Sequence, residues 1–252
     1  MLVTKTIQTK AIIISKIIMK KIKFIIKKLI INSFVARIII RYLLRGHSFC
    51  YKWSGLMACE LNDGIHPKHE IIKYKEWFLS NILPSWTVLD IGCGNGLMPY
   101  VFSKKIAYVY GIEMNKERVE HAELKYSSNN ISYFCADATQ FDYSKCRPIN
   151  CITLSNVLEH IKDRVVFLKA LVQKVNWAET HNKKFLIRVP MIDREWIVLY
   201  KKKMGIEYRL DPTHHIEYTY EEFEKELTLA GLVIKSFRIC YGEIYAICQT
   251  AE

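Results

Sequence analysis

The sequence contains eight cysteines (Cys50, Cys59, Cys93, Cys135, Cys146, Cys151, Cys240 and Cys248), but no two of them at CxxC spacing and no histidine at zinc-ligand spacing. In a chain with a large core such thiols read as reduced, not as a disulfide framework or a structural zinc site. Long apolar runs are also missing. Within residues 10–45 the longest uncharged stretch is Leu29–Ala36, eight residues, against the roughly 20 that span a bilayer. Lysines interrupt every apolar segment near the N-terminus and no small-x-small site follows, a pattern that fits a cleavable signal peptide poorly. There is no internal repeat and no low-complexity linker. Half of the residues are hydrophobic and a quarter are charged, so a disordered or collagen-like chain is excluded.

Acid is absent at the start of the chain. Glu60 is the first acidic residue, whereas residues 1–45 carry eleven Lys and Arg. Of the net +12, the remaining 207 residues hold only +1. A uniformly basic nucleic-acid binder is therefore excluded, and no DNA partner is expected. Ile18, Ile22, Ile25 and Leu29 recur at helical spacing, and Lys16, Lys20, Lys23 and Lys27 repeat it two positions earlier. The pattern predicts a basic amphipathic helix in residues 1–45. Such helices lie in the headgroup layer of anionic membranes. The arm is poor in stacking aromatics, which disfavours RNA. The expected location is cytoplasmic, with a peripheral contact on the inner membrane face through residues 10–45. Residues 46–67 read as a linker or lid, and Trp53, His66 and His69, within residues 46–75, are the side chains expected to cover the site.

From residue 68 to 252 helical and strand-like segments alternate. His69–Leu83 has helical periodicity and stops at Pro84. Strands are expected at Thr87–Ile91, Ala107–Glu113, Ile131–Cys135, Cys151–Ser155, Phe185–Val189, Leu232–Ile239 and Ile244–Cys248. Helices are expected at Met98–Lys104, Lys116–Tyr126 and Arg164–Val175. Thr219 and Glu222 form a capping box that opens a further helix, ending at Gly231. The predicted fold is a doubly wound, Rossmann-like α/β sheet of about seven strands. Its last two strands form a hairpin at Gly242, so the last strand is antiparallel.

The chemistry concentrates at Val88-Leu-Asp-Ile-Gly-Cys-Gly-Asn-Gly96. Gly92, Gly94 and Gly96 let the backbone turn sharply and approach a ligand with no Cβ in the way. Their spacing is GxGxG, not the GxGxxG of dinucleotide binders, and no Walker-type Lys-Ser/Thr follows. Asp90, just before the loop, repels a pyrophosphate and attracts a cationic ligand such as the ammonium of an amino acid. Glu113 closes the second strand, nineteen positions after Gly94, where an acid bonds ribose hydroxyls. Asp137 follows the third strand and can accept from the exocyclic amine of adenine. Together these features specify a cationic cofactor carrying ribose and adenine.

These residues resemble the class I S-adenosylmethionine-dependent methyltransferases, over about residues 68–250. Leu154-Ser-Asn-Val-Leu-Glu-His-Ile161 is similar to the stretch that many members place along the cleft, and Asp211–Thr219 to the late region of type 11 and type 12-like members. The resemblance implies S-adenosylmethionine as cofactor. The implied shell is Asp90, Gly92, Cys93, Gly94, Gly96, Glu113 with Met114, Asp137 with Ala138, and Ser155 with Asn156. The implied reaction moves a methyl group to an oxygen or nitrogen acceptor on a small molecule or glycan.

Catalytic candidates lie on loops after the strands: Glu159 with His160, Asp193 with Arg194, His214 with His215, and Glu217. Adjacent histidines on an extended loop point in opposite directions, so one of His214 and His215 is expected to face the cleft. Asp193 and Arg194 are expected to pair locally. The segment Asn156–His160 departs from the ExxEH metal pattern of some RNA 3′-terminal and quinone-precursor O-methyltransferases, because Asn156 replaces the first Glu. No metal ligand is assigned, although Glu159, His160 and one of His214 and His215 leave a three-ligand divalent site open. Two alternatives stand beside the leading reading: metal-assisted RNA-terminus methylation, and a non-catalytic membrane-associated scaffold.

Overall fold

A computed structural model of the chain describes residues 18–25, 28, 33–62, 66–179 and 181–251. The chain divides into two compact units. One comprises Met1–Gly64 with Met204–Ile206, the other Ile65–Lys203 with Glu207–Glu252.

In the first unit residues 18–25 are helical and exposed. Ile18, Ile22 and Ile25 therefore leave apolar surface in solvent beside Lys20 and Lys23. Lys16, Lys27 and Leu29, the rest of the expected two-faced pattern, lie outside the described residues. Helix α1 runs over Ser33–Glu60. It crosses residues 45 and 46, so the segment expected to be a linker is helical as far as Glu60. The chain has no proline before Pro67 to interrupt it. No helix among the described residues is long and apolar enough to cross a membrane.

The second unit is built on a seven-stranded sheet. The strands are β1 (Thr87–Ile91), β2 (Tyr108–Glu113), β3 (Ile131–Cys135), β4 (Cys151–Ser155), β5 (Lys184–Pro190), β6 (Leu232–Cys240) and β7 (Glu243–Thr250), in the order β3-β2-β1-β4-β5-β7-β6. Strands β1 to β5 are parallel to one another. The last strand, β7, is antiparallel to both β5 and β6 and lies between them, so the sheet edge is β6. Tyr241 and Gly242 both adopt positive φ at the β6–β7 turn, as a two-residue hairpin that follows the twist of its strands requires.

Alternate strand residues bury opposite faces. Val88, Val109, Cys151, Leu186 and Tyr245 pack with Phe78 and Phe102 on one side. Leu89, Ile112, Ile152, Ile187 and Ala246 pack with Leu168, Leu171, Phe223 and Leu227 on the other. A sheet covered on both faces needs strands that are apolar throughout, and β1 is buried at all five positions.

Local sequence sets the surrounding helices. These are α2 (Lys68–Ile72), α3 (Tyr74–Ser80), α4 (Leu97–Ser103), α5 (Lys116–Lys125), α6 (Arg164–Lys174), α7 (Trp196–Lys203) and α8 (Tyr220–Leu229). The helix expected over 69–83 is split by Lys73, which is left-handed at φ 50°. Asn115 caps α5 by accepting from the Arg118 N–H at 3.0 Å. Both halves of the Thr219–Glu222 capping box on α8 are present. Helix α7 was not expected from the sequence.

Leu168 is fully buried on α6. Leu168→Ala is expected to lower unfolding free energy by about 3 kcal/mol, read by urea denaturation. A loss below about 1 kcal/mol would show that this helix does not pack on the sheet as described.

Candidate active site

Strand β1 delivers the chain into the glycine turn at the carboxyl edge of the sheet, beside the point where strand order reverses between β1 and β4. Ligands bind in such crevices. Gly92, Gly94 and Gly96 adopt φ of 70°, 56° and 85°, a region costly for other residues. At Gly94 a Cβ would meet nothing within 4 Å, so the loop is open there to an approaching ligand.

Glu113, at the end of β2, holds this loop. Its Oε2 accepts from the Gly94 N–H at 3.0 Å, and its Oε1 accepts from the Asn115 N–H at 2.9 Å. Each oxygen keeps lone-pair capacity for a further donor, which suits a ribose diol. Asp90 lies within β1 and is almost wholly buried. Its Oδ1 accepts from Thr153 Oγ1 of β4 at 2.5 Å. Burial pushes the carboxyl up to about 7, against the opposing effect of the Thr153 hydroxyl. It is thus poised to ionise when a cation arrives.

Cys93 is turned into the protein, its Sγ directed at Gly111, and its thiol is pushed up by burial. From this residue the backbone, not the side chain, is available to a ligand. Met114 is exposed. Asp137 is exposed, with Oδ1 accepting from the N–H and hydroxyl of Thr139 at 2.8 Å each. The neighbouring Ala138 carbonyl accepts from Tyr143 Oη at 2.6 Å. Ser155 ends β4. Asn156 follows in the left-handed region at φ 56°, which asparagine tolerates better than most residues. Its N–H donates to the Arg188 carbonyl at 2.8 Å, while its Oδ1 is buried without a partner.

Beyond Asn156 a short 3-10 turn, Leu158–His160, buries Glu159 completely. Neither carboxylate oxygen of Glu159 has a hydrogen-bond partner. Burial pushes this carboxyl up to about 8. His160 is exposed on the same turn, its ring held below the usual imidazole range by burial and then by His214. The rings of His160 and His214 meet edge to face at 4.7 Å.

His214 is the buried member of the histidine pair. His215 is exposed, and only its backbone N–H reaches the turn, donating to the Glu159 carbonyl at 2.7 Å. Glu217 is buried between His214 and Arg194. Burial raises its carboxyl, but donors from His214, Arg194 and the Leu210 N–H outweigh this and hold it low. Arg194 therefore pairs with Glu217, not with Asp193 as expected, because the buried Glu217 carboxylate draws the Arg194 guanidinium inward. Asp193 is exposed and stands outside the cluster.

Two further groups support the site. Arg188 and Glu243 form a buried ion pair across β5 and β7. Arg188 Nε is 3.0 Å from Glu243 Oε2 but off the hydrogen-bonding direction, whereas Nη2 donates to Oε1 at 3.3 Å. Thr213 stands against His160, with Thr213 Oγ1 2.9 Å from His160 Nδ1. A carboxylate clamp on a glycine loop, beside a buried carboxyl and two imidazoles, is suited to binding a polar cofactor and moving a proton near it.

The family model described as "Methyltransferase domain" matches residues 61–236. The chain belongs to that family. It is a class I S-adenosylmethionine-dependent methyltransferase, and its cofactor is S-adenosylmethionine. The chain is 28% identical over 188 residues to the ribosomal protein L11 methyltransferase of Caldanaerobacter subterraneus, covering 67% of this chain and 60% of that protein. It is 30% identical over 113 residues to the ubiquinone biosynthesis O-methyltransferase of Aromatoleum aromaticum, covering 43% and 48%. Thus it spans roughly half the length of the curated relatives it matches. The fold is similar to that of the magnesium protoporphyrin IX methyltransferase of Synechocystis solved with SAH bound, at TM-score 0.54 and 16% identity, over 71% of this chain and 81% of that one.

The methyltransferase carries a pH signature at Asp90. Its folded value of about 7 lies above the ordinary 3.8. Between those values the native state holds a proton that the unfolded chain has released, so stability falls as pH rises from about 4 to 7 and levels off above. The three-unit difference corresponds to about 4 kcal/mol. Asp90→Asn in the cofactor-free protein should flatten this slope in denaturation curves taken across pH. An unchanged slope would contradict the assignment.

Proposed function

We propose that this methyltransferase moves a methyl group to an oxygen or nitrogen of a small molecule or glycan, with a hydroxyl as the acceptor the site suits best. The observation that carries this reading is the buried, partnerless carboxyl of Glu159 beside His160 and His214. A hydroxyl must lose a proton as it is methylated, and an imidazole beside that carboxyl can take it. The O-methyltransferase relative supports an oxygen acceptor. When bound, S-adenosylmethionine supplies a methyl on a cationic sulfur. The chain supplies position. Glu113 holds the ribose hydroxyls and Asp137 the adenine amine, Asp90 faces the ammonium, and Ser155 and Asn156 line the cofactor edge. Aligning acceptor and donor in line contributes most of the rate.

Calorimetry tests the cofactor half of this reading. Glu113→Ala is expected to weaken S-adenosylmethionine binding at least tenfold, a loss of about 1.4 kcal/mol or more. No binding to the wild type, or equal affinity in the variant, would contradict it. For the acceptor, labelled methyl groups should appear in the small-metabolite or glycan fraction of an extract, not in protein or RNA.

The first unit suggests where the enzyme works. Ile38, Tyr42, Phe49, Trp53 and Leu56 follow one another at spacings of 4, 7, 4 and 3, and all are exposed. Arg37, Arg41 and Lys52 each precede one of them by a single position, and Arg45 continues the basic row. An aromatic stripe bordered by cations, with no acid before Glu60, fits the surface of an anionic bilayer. Each cation near that surface contributes about 1 kcal/mol. Co-flotation with phosphatidylserine vesicles should be lost when Arg37, Arg41, Arg45 and Lys52 become Glu. Equal recovery on neutral phosphatidylcholine vesicles would reject an electrostatic anchor.

A further inference from the structure

We infer that Arg188 selects a methyl acceptor that carries a carboxylate, which it grips through the outer edge of its guanidinium. This rests on the proposed methyl transfer to a hydroxyl and narrows the acceptor to a hydroxy acid. Arg188 stands in β5 opposite Ser155, the last residue of β4, at the carboxyl edge of the sheet where ligands bind. It interrupts the run Phe185–Val189, which is otherwise apolar and buried throughout. A buried ion pair such as Arg188 with Glu243 is often no more stable than apolar residues of the same volume. Stability alone therefore does not account for a charge at this position.

A guanidinium presents its N–H donors in a rigid fork, with edges that each match a pair of oxygens. Glu243 takes the edge formed by Nε and Nη2: Nε lies 3.0 Å from Oε2, and Nη2 donates to Oε1 at 3.3 Å. On the neighbouring edge, Nη1 and the second Nη2 hydrogen have no partner among the described residues. Nε is the nitrogen of this group that is buried without a hydrogen bond, so Nη1 still meets solvent and a ligand can reach it. Two rings hold the fork in place. Arg188 Cζ lies 4.4 Å from the centre of the Tyr74 ring on α3 and 5.9 Å from that of Tyr245 on β7. Tyr245 Oη donates to Glu243 Oε2 at 3.1 Å, and Asn156 Nδ2 to Glu243 Oε1 at 3.5 Å. An arginine fixed in this way has little rotamer freedom left to lose when it binds.

The open edge fits the two coplanar oxygens of one carboxylate, each accepting one N–H. A phosphate monoester suits it less, since it brings about two negative charges to a cation already paired with Glu243. Glu243 itself repels a second carboxylate only weakly, because its charge is shared among donors from Arg188, Tyr245 and Asn156. A neutral amide in the carboxylate's place offers one acceptor and sets an N–H against the guanidinium. That mismatch is how a site built for an anion rejects its uncharged analogue.

The test uses the full chain loaded with S-adenosylhomocysteine, titrated in a calorimeter with 4-hydroxybenzoate and with its neutral counterpart 4-hydroxybenzamide. The acid should bind at least about tenfold more tightly than the amide. The double variant Arg188→Gln, Glu243→Gln removes both charges and leaves neither buried alone. With circular dichroism confirming its fold, it should bind the two probes equally and keep its affinity for S-adenosylmethionine. Should it not fold, Arg188→Lys, which keeps the charge but not the fork, is expected to weaken the acid and spare the amide. No binding of the acid, equal binding of both probes to the wild type, or a preference that survives unchanged in these variants would each overturn the selection. So would a parallel loss of S-adenosylmethionine affinity, since the carboxylate held would then be the cofactor's own. If labelled methyl groups from an extract appear only on neutral small molecules, Arg188 does not select a carboxylate, and methyl transfer to a hydroxyl stands.

Discussion

One carboxylate organises the cofactor side of this protein. Glu113 accepts from Gly94 on one oxygen and from Asn115 on the other, so the turns after β1 and β2 are tied to a single side chain. Both turns contain backbone that would otherwise expose unpaired N–H groups in a crevice. Three glycines with positive φ would be costly to order without such a tether. The same carboxylate retains acceptor capacity, so the group that shapes the loop is also able to read a diol.

The acceptor side works on the opposite logic. Around the carboxyl ends of β4 and β5, polar groups are buried before they are satisfied: Asn156 Oδ1 and both oxygens of Glu159 have no partner. The burial that raises Glu159 to about 8 and Asp90 to about 7 is the cost of removing charge from water. Near them Arg188 and Glu243 neutralise each other, and Arg188 also lies over the Tyr74 ring at 4.4 Å. An ion pair thus stands beside unpartnered groups, and the latter are where a ligand gains most.

Much of the scaffold was legible because it follows periodicity. The short, mainly apolar run Thr87–Ile91, the glycines after it and the acids closing the strands each have local signatures, and the Thr219–Glu222 box marks its helix directly. The position of β7 was not legible. A hairpin at Gly242 makes two strands antiparallel neighbours, but which of them joins β5 depends on packing across the sheet. The break at Lys73 and helix α7 escaped for related reasons. Nothing in Tyr74–Ser80 signals a left-handed residue before it, and the short apolar run Trp196–Tyr200 fits a strand as well as a helix.

At the site, the sequence supplied the residue types and the fold supplied their pairing. Adjacency meant that one of His214 and His215 would turn inward, but the choice rests on the turn in which Asp211 accepts from the N–H and hydroxyl of Thr213. Arg194 beside Asp193 looked self-sufficient until Glu217, twenty-three positions later, came within reach. The burial of Glu159 required the 3-10 turn at Leu158–His160, which has no periodic signature. The central claim is that the Glu113-tethered glycine loop holds the sulfonium nucleoside. Its most direct test is a crystal structure with S-adenosylmethionine. Both ribose hydroxyls should donate to Glu113 with the Gly94 contact intact; an empty loop, or a phosphorylated nucleotide in its place, would contradict the account.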